Sequence, residues 1–469
     1  MFYTTLAALG AALLLFAILG LRASRANTQL DDYMTARNSQ GASTLGLSFL
    51  ASGMGAWILF APPEVGAFVG PIALGGYAIG SALPFIVLGL CGPSIRRHLP
   101  QGRSIGEFAE SRFGAGVRRY VSLISVLYMG CFLAAELTAI GGITSLLSDV
   151  PGSVAVIGVA ITTLIYTTWG GLRASLVTDR WQALLLIGLL AVVGFVALDR
   201  LPALPADAMM PSVPMGSALG VALTLVIAVT AANLFHQGYW QRVWAAKSGA
   251  ALGRGALLGG VTTVLVVAVV GGLGILAAMS GVALGEPPLP FFALLDGAPD
   301  WLTLLALVLA VTLVASSVDT LQNGIASLAV DEGDGLSSSL SRQGRSLGGA
   351  RLITVMLMVP VVIVALQGMS VLRLFLIADL LCATAVVPVL LGLWSRMSTL
   401  AAVSGGVAGL IGALLPGWIA QGDLMAGLLA ASFPGGVPTL GPFAGALAAS
   451  TLVSLLVAMA RPRLTQQYG

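Results

Sequence analysis

Long apolar runs dominate the chain, and short polar stretches close each of them. A helix rises about 1.5 Å per residue, so about 20 apolar residues cross a hydrocarbon layer of about 30 Å. About thirteen such runs predict helices at 2–22, 43–69, 71–95, 117–148, 152–170, 176–198, 216–239, 253–283, 301–330, 350–367, 371–394, 398–420 and 439–460. The pattern predicts an all-α integral membrane protein.

Three runs break the apolar pattern. The first reads "GAWILFAPPEVGAFVG" over 55–70. Pro62 and Pro63 lack N–H donors, so the helix is expected to break at Pro62-Pro63-Glu64, with the glycine-rich stretch Ala51 to Trp57 free to unwind beside it. Freed carbonyls there would suit a cation; a kinked helix with no ligand fits the same residues. The second run is "AANLFHQGYWQRVWAAKS", where Asn233, His236, Gln237 and Gly238 interrupt an apolar helix ahead of an aromatic, basic exit. Two interrupted helices, each opening one half of the spans, are the mark of a transporter built from inverted repeats. In the third, Thr312, Ser316, Asp319, Thr320 and Asn323 recur at three and four residues and form a polar stripe on one helix face. Hydroxyls with a carboxylate are hard oxygen ligands for Na⁺ or a proton site, and hydroxyls alone also serve as glue between helices.

Composition agrees with the pattern. The chain is 57% hydrophobic and 9% charged, with mean hydropathy +0.98, against about 25% charged in soluble domains. The net charge of +3 does not point to nucleic acid, because the basic residues lie in short connections. These connections alternate between basic and basic-poor. Arg396, Arg461 and Arg463 fall on the basic side, and Arg200 and Arg373 opposite. That bias predicts an N-terminus outside and a C-terminus in the cytoplasm of a plasma or inner membrane. Residues 2–21 have no basic n-region, so they read as a retained helix rather than a signal peptide. The connection 331–349 is rich in Gly and Ser and is expected to be mobile. Cys91, Cys131 and Cys382 sit in apolar runs and read as packing residues.

Buried acids stand out next. Glu64, Glu136 and Asp379 join Asp319 inside predicted spans. Arg373 would pair with Asp379 or lie near the outer interface, and otherwise no Lys or Arg is expected deep in a span. Carboxylates at such depth must be protonated, hold ions or meet a cationic solute.

The stretches "DDYMTARNSQ", "YTTWGGLRASLVTDRWQ", "QGYWQRVWAAKS" and "ASSVDTLQNGIASLAVDE" together resemble the sodium:solute symporter family. The resemblance implies a leucine-transporter-type fold, with two inverted five-helix repeats whose first and sixth core helices are broken. The Pro-Pro-Glu break would then be the unwound part of the first core helix. The chain would be one transporter domain over 1–469, with an extra helix in 1–24, a ten-helix core in 43–394 and two further helices in 398–460. The shared sodium site would use carbonyls of Ala51, Met54 and Leu313 and hydroxyls of Ser316 and Ser317. Asp179 matches a carboxylate that some members use for a second sodium, with Asp319 and Thr320 where the family usually has hydroxyls. Two nearby carboxylates keep proton coupling open beside sodium.

The expected solute pocket holds Gly53, Trp57, Glu64, Glu136, Asn233, His236, Gln237, Trp240 and Asp379. Sugar-transporting members carry a polar Asn, Glu and Gln set where this chain has Gly53, Trp57 and Ile58, so a sugar is not expected. "YWQR" and the Trp57 region lean towards the urea branch, which includes polyamine carriers. The expected activity is secondary symport of a small polar or cationic solute driven by Na⁺ or H⁺, with no organic cofactor, no nucleic acid and no obligate protein partner. A passive channel would share the pocket. An intramembrane enzyme lacks support, because the only histidines are His98, in a basic loop, and His236, and no HExxH, GxSxG or phosphate-cradling loop falls at a usable place. No signalling module is expected after residue 460.

Overall fold

The computed structural model describes residues 2–24, 29–199, 204, 208–286, 288–336, 347–368, 372–435 and 437–460. Arg25, Arg200, Arg461, Arg463 and the part of the Gly- and Ser-rich connection at 337–346 lie outside them. Helix α1 is Phe2–Ser24, α2 Leu30–Thr35, α3 Ala42–Gly53, α4 Ala61–Phe68, α5 Pro71–His98, α6 Ile105–Phe113, α7 Ala115–Leu147 and α8 Gly152–Asp199. Then follow α9 Met215–Leu234, α10 Gln237–Ala245, α11 Gly249–Met279, α12 Pro290–Ala293, α13 Asp300–Leu336, α14 Leu347–Leu366 and α15 Leu372–Leu390. Helices α16 Thr399–Gln421, α17 Leu424–Ala431 and α18 Leu440–Ala460 end the chain.

Among the described residues, eleven helices are long and apolar enough to span a bilayer, and the bent pair α3–α4 makes a twelfth span. Helix α8 accounts for one more. Its 48 residues would run about 72 Å if straight, more than twice the hydrocarbon thickness. It is broken at Gly171, with φ 54° and ψ −149°. A side chain there would strike the ring and carbonyl of Tyr33, so only glycine allows both the turn and the approach of α2. The two halves correspond to the separate spans expected at 152–170 and 176–198.

Helices α3, α13 and α7 pack around α8, while α5, α9 and α11 form a second cluster joined to the first through α3. Helices α16 and α18 pair with each other beside α15. Large apolar side chains such as Leu90, Leu123, Phe195, Met356 and Leu452 remain exposed on the outer helix faces. In water such a surface would be a liability; around a helical bundle of this length it is the face presented to lipid.

The first break falls earlier than the sequence indicates. Helix α3 ends at Gly53, Met54 and Gly55 are extended, and Ala56–Leu59 forms a 3-10 turn before α4. The two halves meet at 65°. Pro62 and Pro63 occupy the first turn of α4 and start that half-helix instead of breaking it. The N–H groups of a first helical turn have no intrahelical acceptor, so proline gives up nothing there. The second break lies where expected, at Phe235 and His236 between α9 and α10.

Candidate functional site

Helix α13 packs against α3, and Asp179 bridges them by accepting from Ser48 of α3 and Ser316 of α13. Ala51, Met54, Leu313, Ser316 and Ser317 are each no more than 1% exposed. Met54 N–H donates to Leu50 O at 3.0 Å and Ala51 O at 3.3 Å, which closes α3 and leaves the following backbone outside the ladder. Leu313 lines a small apolar cavity with Ile58 and Leu59 of the 3-10 turn. The Ser317 hydroxyl is buried and has no partner. A buried hydroxyl without a hydrogen bond is expensive unless something else satisfies it, and a cation is one such group.

The second set is organised around two carboxylates. Asp179 of α8 accepts from Ser316 Oγ at 2.9 Å, Ser48 Oγ at 2.5 Å and Arg242 Nη2 at 2.7 Å. Asp319 accepts hydroxyl hydrogens from Tyr166 at 2.7 Å, Ser175 at 2.6 Å, Thr178 at 3.1 Å and Thr320 at 3.3 Å. Both acids are fully buried. A basic residue besides Arg373 does lie deep in a span, against expectation. Arg242 is 0% exposed and forms a buried ion pair with Asp179. The polar run Gln241-Arg242 resembles a loop exit in sequence, but α10 carries it back into the bundle. Ser48, Ser175, Thr178 and Tyr166 were also not singled out, because single hydroxyls in apolar helices look like glue.

The expected solute residues divide into two groups. Gly53, Trp57, Asn233, His236 and Asp379 belong to an aromatic junction where the two breaks approach. Trp57 stacks on Tyr77 at 5.4 Å and donates its indole N–H to Gly53 O. A side chain at Gly53 would meet Phe85 and the Tyr239 hydroxyl. His236 stacks on Tyr239 at 4.2 Å, and both its ring nitrogens are buried without a partner. Tyr128 donates to Asn233 Oδ1 at 3.2 Å and packs on Phe375. One turn after Phe375, Asp379 is 5% exposed, interacts electrostatically with Tyr77 and Tyr128, and leaves Oδ1 with no partner. Arg373 does not reach it; its guanidinium is taken by the carbonyl and hydroxyl of Ser432.

The structure assigns the remaining pocket residues other positions or partners. Gln237 receives Ile105 N–H and donates to Arg103 O and Ser327 Oγ, tying α6 to α13. Trp240 packs on Phe108 and Trp244 and donates to Leu234 O. Glu64 is exposed, although Pro62 and Pro63 beside it in the first turn of α4 are buried. Glu136 is buried but engaged: Oε2 accepts Ala56 N–H at 2.7 Å, so this acid caps the 3-10 turn. A methyl at Gly55 would fall on the Glu136 carboxylate, so the approach requires glycine there.

Two broken helices, buried carboxylates and hydroxyls and an aromatic junction, set in a bundle of membrane-spanning helices, are the features of a secondary membrane transporter. The sodium:solute symporter family model matches residues 33–409. The chain belongs to that family, and it is a transporter rather than an enzyme. It is 28% identical over 403 residues to the spermidine transporter DUR31 of Candida albicans, covering 83% of this chain and 75% of that protein. In fold it is similar to a Na⁺-coupled sialic acid symporter in a substrate-bound outward-open state, with TM-score 0.75, 17% identity and 96% and 97% of the two chains covered. It is also similar to Mhp1, a nucleobase-cation-symport-1 family transporter, with TM-score 0.59, 15% identity and 94% and 97% covered. The fold is of the leucine-transporter type.

Proposed function

We propose that this chain is a cation-coupled importer of a small organic cation, with polyamines as the best-fitting class. Asp379 carries the reading. It is a buried carboxylate with an oxygen left without a partner, set among aromatic rings, and among the described residues no guanidinium pairs with it. An ammonium group supplies what such a carboxylate lacks, and ring faces attract cations further. The transported solute of the Candida albicans relative agrees with this class. Sodium would sit between α3 and α13, on Ala51, Met54 and Leu313 carbonyls and the Ser316 and Ser317 hydroxyls, where the partnerless Ser317 hydroxyl supports it. Residues 43–394 would form the ten-helix core and alternate its access, with 1–24 and 398–460 outside it. The basic connections would face the cytoplasm of a plasma or inner membrane, with the N-terminus outside.

The test is uptake of labelled spermidine, urea and proline into proteoliposomes in sodium and in potassium buffer. Sodium-dependent spermidine uptake is expected, reduced at least tenfold by Asp379→Asn, as a lost charge-assisted contact of about 1.5–3 kcal/mol predicts. Full spermidine uptake in the variant, or a preference for urea, overturns the solute class. Uptake that ignores sodium and follows a pH gradient would make the coupling ion a proton, and uptake indifferent to both gradients would make the protein a passive facilitator.

A further inference from the structure

Arg242 occupies the ground expected of a second mobile cation. It rises from the second half of the broken α9–α10 span, and all three guanidinium nitrogens donate. Nη2 reaches Asp179 Oδ2 at 2.7 Å and Thr320 Oγ1 at 3.3 Å, Nε reaches Ser48 Oγ at 2.8 Å, and Nη1 reaches Gly238 O at 2.6 Å. Asp179 and Thr320 are two of the three residues expected to hold the second ion. A carboxylate oxygen and a hydroxyl oxygen already bonded to a guanidinium cannot also coordinate sodium in the same place. Arginine is the residue suited to a fixed, buried positive charge, and its tether to the backbone makes the substitution permanent.

We propose that Arg242 is a built-in cation that fills the second ion site, so that no mobile sodium ion binds between Asp179 and Thr320. The site keeps its positive charge but loses its exchange with water. The arrangement also joins the two breaks. Ser48 lies on the first broken helix, Arg242 on the second, and Asp179 and Thr320 on the helices packed between them. Removing one partner of a buried ion pair leaves the other uncompensated, which is strongly unfavourable. With Arg242 truncated, the oxygens of Asp179, Ser48, Ser316 and Thr320 would surround a gap beside an unpaired negative charge, and a hard cation takes such oxygen ligands.

The experiment counts sodium ions bound at equilibrium to the purified full chain in lipid nanodiscs, using radioactive sodium. Arg242→Ala is expected to bind one sodium more than the wild type, and Arg242→Lys, which keeps the charge, the same number as the wild type. The extra ion is expected to vanish in the double variant Asp179→Asn with Arg242→Ala. An equal count in Arg242→Ala and the wild type overturns the proposal. Asp179→Asn alone, nearly isosteric, tests the same point if the arginine variant does not fold. It is expected to leave the wild-type count unchanged, and a count lower by one overturns the proposal. Every readout is a difference between proteins, so it holds whether or not the first site takes sodium.

Discussion

Ser316 and Ser317 are neighbours on α13 with different fates. The Ser316 hydroxyl is spent on Asp179, and the Ser317 hydroxyl is spent on nothing. Ser317→Ala is therefore expected to raise the sodium concentration for half-maximal uptake about tenfold, equivalent to about 1.4 kcal/mol for one lost oxygen ligand. Melting temperature should barely change, since no hydrogen bond is lost. Unchanged sodium activation in this variant removes Ser317 from the ion path. Ser316, Asp319 and Asp379 were legible in the sequence because polar atoms inside apolar helices are conspicuous, whereas Ser317 and Asp179 came only from the family resemblance. The partners of these residues were not legible. The residue that answers Asp179 is 63 positions away, and only the return of α10 into the bundle brings Arg242 to it. Tyr77 and Tyr128 were illegible for the opposite reason, since aromatic residues in membrane helices serve packing and anchoring equally well.

The spans themselves could be read closely, because an apolar length carries its own meaning in a bilayer. The placement of a break is harder to read. Proline ends one helix and begins another with equal ease, so Pro62-Pro63 marked the right region and the wrong side of it. Just after the two extended residues, Met54 and Gly55, the N–H of Ala56 is held by an acid on another helix, Glu136, which no local pattern in α3 announces. The gap between the spans at 152–170 and 176–198 was legible, but within it nothing in the sequence marked the turning residue as Gly171. Its positive φ and its contact with Tyr33 make it costly to replace. Gly171→Ala is expected to destabilise the protein by about 1–3 kcal/mol, read as a lower melting temperature in detergent. An unshifted melt would show that α8 bends without needing glycine.

One end of the bundle is closed by short elements that do not cross it. Backbone N–H groups of Asn38, Ser39 and Gln40 donate to Trp244 and Ala245, and Lys247 N–H donates back to Gln40 O, so the start of the first broken helix is tied to the end of the second. Tyr33 and Gln241 add bonds to Thr167 O and Met34 O, Ser104 Oγ caps α6 by accepting the Glu107 N–H, and the Glu107 carboxylate accepts the Arg103 N–H. Asp31 pairs with Arg37 through two nitrogens, at 2.9 and 2.7 Å. That guanidinium holds the Asp31 carboxyl below its usual range, against a smaller opposing push from partial burial. The pairing is therefore complete above the ordinary carboxylate value and is lost only as pH falls through the lowered one, so closure should not vary between about pH 5 and 8. Asp31 is 37% exposed, which limits the pair to about 1 kcal/mol or less. Asp31→Asn should raise the labelling rate of a Ser327→Cys reporter, in the cavity behind α2, by no more than a few fold. No change would show that the backbone ties close this end unaided.

The ion pair of Arg242 and Asp179 bears on how far the protein can concentrate its cargo. An electric field across the membrane does work on each charge that crosses, about 2.3 kcal/mol per 100 mV. A guanidinium anchored to the backbone returns with the empty carrier and delivers none of that work over a cycle. Relative to a carrier with a second travelling sodium, the attainable accumulation ratio falls about fifty-fold per 100 mV, because about 1.4 kcal/mol is tenfold. A polyamine, the solute class proposed above, would make up the difference itself: each of its own ammonium charges would be drawn inward by the same voltage.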